Sequence, residues 1–327
     1  MSKCNITRRA CLSLGLSLPF AGMAQAPFPS RQLRIISPYQ PGGANDTLSR
    51  LVANGMSPNL GQPVVVENKA GAGGIIGVDH VAKSPPDGYT MVMTTSSAIT
   101  SFLALYRALP YDPRKDLKMV SDVANFRFIL AVNPGLPAKN VQELIALLKA
   151  NPNKYAIGSW GNGSPPHQFQ AFLAKKYGAP AIHAAYKGDS QLNSDVMGGT
   201  IHIALGSSAS LMPLVAAGKM RALGVSGSLR LKNAPDILTF AEQGYHEPAF
   251  ADPGPFSLMV SARTPDAIVE RLGNEVRQVL AQPAVKARIE DLGAIVIGNT
   301  PDEATAAYKA FLPMAIELAR ETGVTLD

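Results

Sequence analysis

An apolar segment that ends in a glycine turn and leads directly into a helix constrains this 327-residue chain more than any other feature. Leu33–Ser37 has the length and β-branching of a buried strand. The turn Pro41–Gly43 interrupts it, and Asn45 or Asp46 can cap a helix that opens at Thr47. Such a turn leaves backbone N–H groups pointing at one spot, where the helix dipole favours negative charge. The pattern therefore predicts an α/β protein that binds an anion such as a carboxylate or phosphate.

Short apolar runs alternate with helical patterns along most of the chain, which is typical of an α/β fold. About 300 residues follow the N-terminal segment described below, and one hydrophobic core rarely serves so many, so two domains are expected. No Pro- or Ser-rich linker and no internal repeat marks where they join. The strand candidates are Leu33–Ser37, Pro63–Glu67, Thr90–Thr94, Phe128–Val132, Tyr155–Gly158, Ile201–Leu205, Ala222–Val225 and Phe256–Val260.

Residues 1–26 are predicted to be a signal peptide that is removed from the mature protein. Three basic residues precede an apolar run, Ala10–Leu18, that is too short to span a bilayer as a helix. The adjacent Arg8 and Arg9 fit a twin-arginine export signal as well as an ordinary Sec signal. Export to the periplasm is therefore expected by one of these two routes.

Cysteine usage and charge exclude several classes of protein. Both cysteines, Cys4 and Cys11, lie in the predicted signal, so the mature chain has no disulfide and no cysteine metal ligand. Without the signal, 27 Lys and Arg residues face 24 Asp and Glu residues, a net charge of about +3. The basic residues are scattered, so no nucleic-acid partner is expected. No 18-residue apolar run follows the signal, which predicts no membrane span in the mature chain.

Nine short segments, in this order along the chain, together resemble one known family. They are PYQPGGAND, LGQPVVVENKAGAGGIIG, PPDGYT, ALPYDPRKDL, YAIGSWGNGSPPHQ, HAAYKGDSQ, GKMRALGVSGSLR, ARTPDAIVERL and LGAIVIGNTPDEA. Through them, residues 27–327 resemble the solute receptors of tripartite tricarboxylate transporters, the Bug family of periplasmic binding proteins. No single segment is specific to this family, but the order and spacing of all nine segments are.

The resemblance implies a type II periplasmic-binding-protein fold, in which two α/β lobes close like a hinge over a ligand cleft. It implies a discontinuous lobe 1 made of residues 27–130 and 254–327, and a lobe 2 made of residues 131–253. The chain is expected to cross between the lobes near Ala131 and Pro253.

Two glycine-rich turns supply most of the candidate ligand-binding residues. The first contributes Tyr39, Gly42, Gly43, Asn45 and Asp46. The second follows the strand at Tyr155 and contributes Ser159, Gly161, Asn162, Gly163, Ser164 and His167. Two such cradles, one from each lobe, would hold the two ends of a dicarboxylate. Asp46 would repel an anion, so we expect it to orient the loop, cap the helix or meet an amine or hydroxyl group of the ligand.

Two further pairs of candidates follow a predicted strand at Thr90 and an apolar run at Ile182–Ala185. Ser96 and Ser97 follow the strand at Thr90 and would either contact ligand or cap a helix. Tyr186 is expected to face the cleft or the core, and Lys187 would either pair with a carboxylate or remain solvated.

The chain departs from the family pattern at three positions. Gly206 stands where relatives often have Asp, Pro255 where an aromatic residue is usual, and Asn45 where Thr or Ser is commoner. The loss of a side chain at Gly206 would widen the cleft. We therefore expect a ligand different from aspartate or citrate, and Gly206 joins the candidate site residues.

Signatures of enzymes are weak. The glycines between 71 and 77 have the spacing G-x-G-x-x-x-G, and Asn68, Lys69 and Ala70 separate them from the preceding strand, unlike a dinucleotide loop. The sequence has no G-x-S-x-G elbow, and its five histidines lack metal-ligand spacing. Ser164 and His167 would form a hydrolase site only with a distant Asp.

We therefore predict a periplasmic receptor that is not an enzyme. It would bind a small organic carboxylate, either a di- or tricarboxylate or an aromatic carboxylate, as a monomer and without a cofactor. The resemblance implies that it presents this ligand to the large and small membrane subunits of a tripartite carrier. The alternatives are a ligand sensor for a two-component kinase, a nucleotide-dependent oxidoreductase and a hydrolase.

Overall fold

The computed structural model describes residues 28–327, so the predicted signal peptide lies outside the described residues. The strands are β1 (Leu33–Ser37), β2 (Val64–Asn68), β3 (Thr90–Thr95), β4 (Leu117–Phe126), β5 (Phe128–Val132), β6 (Ala156–Ser159), β7 (Ile182–Ala185), β8 (Ile203–Ser207), β9 (Arg221–Val225), β10 (Phe256–Ser261) and β11 (Ala294–Val296). The helices are α1 (Ala44–Leu60), α2 (Ile75–Ala82), α3 (Ser96–Ile99), α4 (Phe102–Leu105), α5 (Pro113–Asp116), α6 (Val141–Ala150), α7 (Pro165–Tyr177), α8 (Asp189–Gly198), α9 (Ser208–Ala216), α10 (Asp266–Ala281), α11 (Pro283–Asp291) and α12 (Pro301–Thr322). None of the helices between residues 28 and 327 is both long enough and apolar enough to cross a bilayer.

The strands form two separate sheets, and this division makes the molecule two-lobed. The first sheet has the order β11-β4-β10-β3-β1-β2, and the second has the order β7-β6-β8-β5-β9. In the first, β1 pairs in parallel with β2 and β3, whereas β10 is antiparallel to β3 and β4. In the second, β6 pairs in parallel with β7 and β8, and β5 is antiparallel to β8 and β9. The predicted two-lobed α/β fold is confirmed.

The chain crosses between the sheets twice. It leaves the first sheet at the end of β4 and enters the second at the start of β5, with only Arg127 between them. It returns in the segment between β9 and β10. Ser226 Oγ links the two crossings, since it accepts from the Phe128 N–H at 2.8 Å and donates to Asp252 Oδ1 at 2.6 Å. The lobe boundaries near Ala131 and Pro253 stay a prediction.

Helices cover both faces of the first sheet, which explains why β1 has buried apolar side chains on both of its faces. Leu33 and Ile35 pack in the cluster that contains Leu48 of α1, and Ile36 packs on the other face with Val78 of α2. All three β1 side chains are fully buried. Burial of each contributes roughly 1.5–3 kcal/mol, so the strand is strongly fixed. Its C-terminal end, where the first glycine turn begins, is therefore held rigidly at the edge of the lobe.

Candidate functional site

The turn between β1 and α1 meets the turn between β7 and α8 across the two lobes. Ser190 Oγ of the second lobe donates to the Pro41 carbonyl of the first at 3.3 Å. Beside this contact lies a cavity of about 20 Å³, which we call the interlobe cleft. It is lined by Tyr39, Gly43 and Thr95 from the first lobe and by Trp160, Asp189 and Ser207 from the second. A cavity of this volume holds about one water molecule, so the lobes are closed.

Gly43 forms the N-cap of α1, and the helix begins at Ala44 rather than at Thr47. The predicted cap at Asn45 or Asp46 is therefore wrong, because both residues lie inside the first helical turn. No side chain caps the helix at Gly43, so the first N–H groups of α1 are not covered by a local partner. Gly43, Ala44 and Asn45 at this N-terminus line the interlobe cleft, while its role as an anion site stays a prediction.

Asp46 orients the first turn. Its buried carboxylate accepts the Gly42 N–H at 3.1 Å, Arg50 Nε at 2.9 Å and Asn68 Nδ2 at 2.9 Å. Burial raises the pKa of Asp46, but the hydrogen bonds from Arg50, Asn68 and Gly42 outweigh it and hold the pKa below its usual value. Gly42 has a φ of +85°, a left-handed conformation that favours glycine. Of the three roles expected for Asp46, the structure favours the orientation of the loop.

Asn45 and Tyr39 build the first-lobe wall of the cleft. Asn45 accepts from Ser37 Oγ at 2.8 Å and donates to the Met93 carbonyl at 3.0 Å, so it ties α1 to β1 and β3. The Tyr39 hydroxyl lies 2.8 Å from Thr95 Oγ1. Burial raises the pKa of Tyr39 to about 12, which keeps this phenol neutral. The wall therefore offers neutral hydrogen-bonding groups and no charge.

The second lobe places a carboxylate directly opposite Gly43. A Cβ atom added at Gly43 would lie 3.1 Å from Asp189 Oδ2. Burial raises the pKa of Asp189, and the Trp160 indole, the Ala44 N–H and the Ser210 hydroxyl beside the carboxylate lower it in part. Trp160 is only 6% exposed, and its Nε1 has no hydrogen-bond partner at normal geometry. Sequence analysis missed Asp189, although its position just after the end of β7 is the signal that could have identified it.

The second glycine turn does not face Gly43. A Cβ atom at Gly161 would lie 3.0 Å from Gly73 N, and one at Gly73 would lie 2.8 Å from the Asn162 carbonyl. The second turn therefore packs on the glycine cluster of the first lobe. A cavity of about 340 Å³ opens there, lined by Gly74, Gly161, Asn162, Tyr186 and Lys187 among others. Tyr39 and Trp160 line both this cavity and the interlobe cleft, so the two turns border adjoining spaces, and whether they share one ligand stays a prediction.

The hydroxyl groups of the second turn are used within their own lobe. Ser164 forms the N-cap of α7, and its Oγ donates to the Gly161 carbonyl at 2.7 Å. Ser159 Oγ lies 2.6 Å from His183 Nε2. His167 Nδ1 accepts the Gly163 N–H at 3.0 Å, so this nitrogen is not free to activate a Ser164 hydroxyl. The contacts do not favour a Ser-His hydrolase pair.

The two histidines behind this turn are stacked, with ring centroids 3.9 Å apart. Burial, with a contribution from His183, lowers the pKa of His167 to about 4, and burial lowers the pKa of His183 as well. Both rings are therefore neutral at pH 7.

We expect His167, which stacks on His183, to lower the free energy of unfolding in acid. The unfolded histidine takes up a proton near pH 6.5 and the folded one only near pH 4, so the contribution is complete above pH 6.5 and is lost as the pH falls towards 4. The loss in unfolding free energy should be about 1–2 kcal/mol, less than the full pKa shift implies because the ring is partly exposed. Denaturant unfolding at pH 7, 5.5 and 4.5 should show a smaller loss in His167→Gln than in wild type. The exposed His246→Gln serves as the control, and parallel profiles for all three proteins would contradict the assignment.

The remaining predicted site residues lie outside the interlobe cleft. Ser96 Oγ donates to the Pro253 carbonyl, and Ser97 Oγ lies 3.0 Å from Thr95 Oγ1. Both serines line another cavity of about 310 Å³, beside the segment through which the chain returns to the first lobe. The Tyr186 hydroxyl donates to Asp195 Oδ2 at 2.6 Å. Among residues 28–327, no group of three or more His, Cys, Asp or Glu side chains is arranged to hold a metal ion.

Gly206 lies inside β8 rather than at its end. A Cβ atom there would lie 3.0 Å from Leu211 Cδ1, and Leu211 is buried in the core of the second lobe. Its neighbour Ser207, one residue further along the strand, lines the interlobe cleft instead. Alternation along the strand therefore turns position 206 towards the core.

Comparisons with known proteins agree on one family. The model of the tripartite tricarboxylate transporter family receptor matches residues 48–305. The chain is 33% identical to Protein BugT of Bordetella pertussis over 328 residues, covering 98% of this chain and 99% of BugT. A solved periplasmic transporter is 36% identical with a TM-score of 0.87, covering 92% of this chain and all of that one. The solved Rpa4515 of R. palustris with adipate is 28% identical with a TM-score of 0.86, covering 91% of this chain and 99% of that one.

Proposed function

The chain belongs to the tripartite tricarboxylate transporter receptor family, and from that premise we propose that it binds a small organic carboxylate in the interlobe cleft. The observation that carries this proposal is the N-terminus of α1, which lines the cleft at Gly43 and Ala44 and has no capping side chain from its own lobe. Backbone N–H groups at a helix N-terminus are suited to a carboxylate, since they donate hydrogen bonds where the helix dipole is positive. The family consists of solute receptors and not of enzymes, as the sequence analysis predicted.

The neutral first-lobe wall supports the same ligand class. Tyr39, Thr95 and Asn45 supply hydrogen-bonding groups without adding a second negative charge. Closure of the lobes excludes water, which strengthens the attraction between a carboxylate and oriented backbone dipoles. Because the cleft in this structure has room for about one water molecule, a ligand of several carbon atoms would enter and stay bound only with the lobes further apart than they are here. The solved Rpa4515, a relative of similar fold, holds adipate.

The position of the chain in transport follows from the family. We propose that residues 1–26 direct it to the periplasm, where it works as a monomer and delivers its ligand to the large and small membrane subunits of a tripartite carrier. We also propose that the hinge consists of Arg127 and the segment around Asp252 and Pro253. The Ser226 bridge between these two crossings supports that assignment.

A thermal-shift screen of residues 27–327 tests the proposal. The panel should contain C4–C8 dicarboxylates, citrate, acidic amino acids, aromatic acids and NAD. A carboxylate present at about 100 times its dissociation constant should add about 2.7 kcal/mol of stability, a rise of several degrees in Tm. A selective rise with carboxylates is the expected result. A rise with NAD alone, or none with any carboxylate, would contradict the proposal.

A further inference from the structure

Asp189 brings a carboxyl group to the place where the ligand carboxylate is expected. We propose that the ligand of this receptor carries a hydrogen-bond donor, an ammonium, amide or hydroxyl group, next to its carboxylate, and that Asp189 binds that donor. The inference rests on the proposed function, and it names the ligand class within it: an amino, amido or hydroxy acid rather than an unsubstituted dicarboxylate.

Asp189 lies next to the N-terminus of α1. Its Oδ2 lies 3.1 Å from the point that a Cβ atom of Gly43 would occupy, and Gly43 is the N-cap of α1. A ligand carboxylate bound to the first N–H groups of α1 would therefore lie beside the Asp189 carboxylate. Two like charges at this separation repel each other in a site that excludes water. A hydrogen-bond donor group of the ligand, placed between its own carboxylate and that of Asp189, would donate to both.

Between residues 28 and 327, the polar groups around Asp189 include no cation. The Ala44 N–H, the Ser210 hydroxyl and the Trp160 indole lie beside the carboxylate, and all three are neutral. In the part of the chain that the structure describes, no Lys or Arg forms a salt bridge with Asp189. Arg50 of α1 is paired with Asp46. The cleft therefore holds a carboxyl group that no Lys or Arg of the described residues neutralises, which leaves the ligand to supply its hydrogen-bond donor.

Trp160 supplies a second observation that points to a ligand in the cleft. Its side chain lines the cleft and is only 6% exposed, and its Nε1, which lies near Asp189, makes no hydrogen bond of normal geometry. Buried indole N–H groups normally find an acceptor. A ligand carboxylate or carbonyl in the cleft would supply one, while Asp189 accepts from the donor on the same ligand.

Matched ligands with one carbon skeleton test the inference. Succinate, L-malate and L-aspartate share four carbons and differ by a hydrogen, a hydroxyl or an ammonium group, and adipate and L-2-aminoadipate form a six-carbon pair. Titration calorimetry on residues 27–327 should show the donor-bearing member binding at least about tenfold more tightly than its unsubstituted partner. Asp189→Asn and Asp189→Ala should lose at least tenfold for the donor-bearing member and should retain or improve binding of the unsubstituted one. Asp195→Asn, on the same helix but hydrogen-bonded to Tyr186, is the control and should leave the preference unchanged.

Three outcomes would overturn the inference. If Asp189→Ala strengthens binding of both members of a pair equally, Asp189 is an internal competitor for the α1 N-terminus. If neither variant changes any affinity, Asp189 is only a contact between lobes. If the wild type prefers succinate or adipate, the ligand carries no donor, although the proposed carboxylate function stands. Failure of the proposed function itself is distinct, since every carboxylate in the thermal-shift screen would then be silent.

Discussion

Gly43→Val is expected to lower ligand affinity at least 100-fold while the protein still folds, with a Tm within a few degrees of wild type. The backbone at Gly43 has φ −83° and ψ 176°, which any residue adopts, so valine introduces no backbone strain. Its Cβ would lie 3.1 Å from Asp189 Oδ2 and 3.7 Å from Asp189 Cγ. The two methyl groups beyond Cβ would fill a cleft of about 20 Å³ and hold the lobes apart. Closure over the ligand would then be lost together with access to the α1 N–H groups.

Titration calorimetry with the carboxylate identified in the screen measures this effect. Gly198→Val is the matched control, because it adds the same side chain at the end of α8, where a Cβ atom would have nothing within 4 Å. Gly43→Ala should give an intermediate loss, since its single methyl group meets only the Asp189 carboxylate. If Gly43→Val binds as tightly as wild type, the α1 N-terminus is not the anion site.

Gly206→Asp is expected to destabilise the second lobe by about 3–5 kcal/mol, because it places an unpaired carboxylate in an apolar core. The Cβ atom would lie 3.0 Å from Leu211 Cδ1 and 3.2 Å from Leu211 Cγ. Leu211 is only 1% exposed and belongs to the main core cluster of that lobe. The Tm should fall by roughly 10 °C for a chain of this size.

Denaturant unfolding of Gly206→Asp and Gly206→Ala compares their losses in unfolding free energy. The comparison separates the effect of the added charge from that of the added volume. The alanine variant must displace Leu211 by only a few tenths of an ångström and should lose much less stability. The resemblance alone suggested a different result, in which an acidic residue at 206 changes ligand preference. Unchanged stability together with altered ligand preference would favour that interpretation and place the side chain in the cleft.

The apolar pattern of the sequence was sufficient to locate most of the strands. β1 and β5 have the predicted bounds, because runs of buried apolar residues have no alternative explanation in segments so short. β4 was missed although it is the longest strand. Its polar Asp122 breaks the pattern and is accommodated only by Ser257 at 2.6 Å and Asn299 at 3.0 Å, residues far along the chain. β7 and β11 were missed as well, because they are edge strands whose side chains are mostly not buried and so form no buried apolar run.

By itself, the sequence determined the family, the two-lobed fold and the glycine turn at the N-terminus of α1, because these depend on local patterns and on motif order. Only the tertiary structure decided which turns meet. Gly43 faces Asp189, whereas Gly161 packs on Gly73 and Gly206 turns towards Leu211. Contacts between distant segments depend on how the two lobes dock and on which face of a strand each residue occupies. A local sequence pattern specifies neither of these.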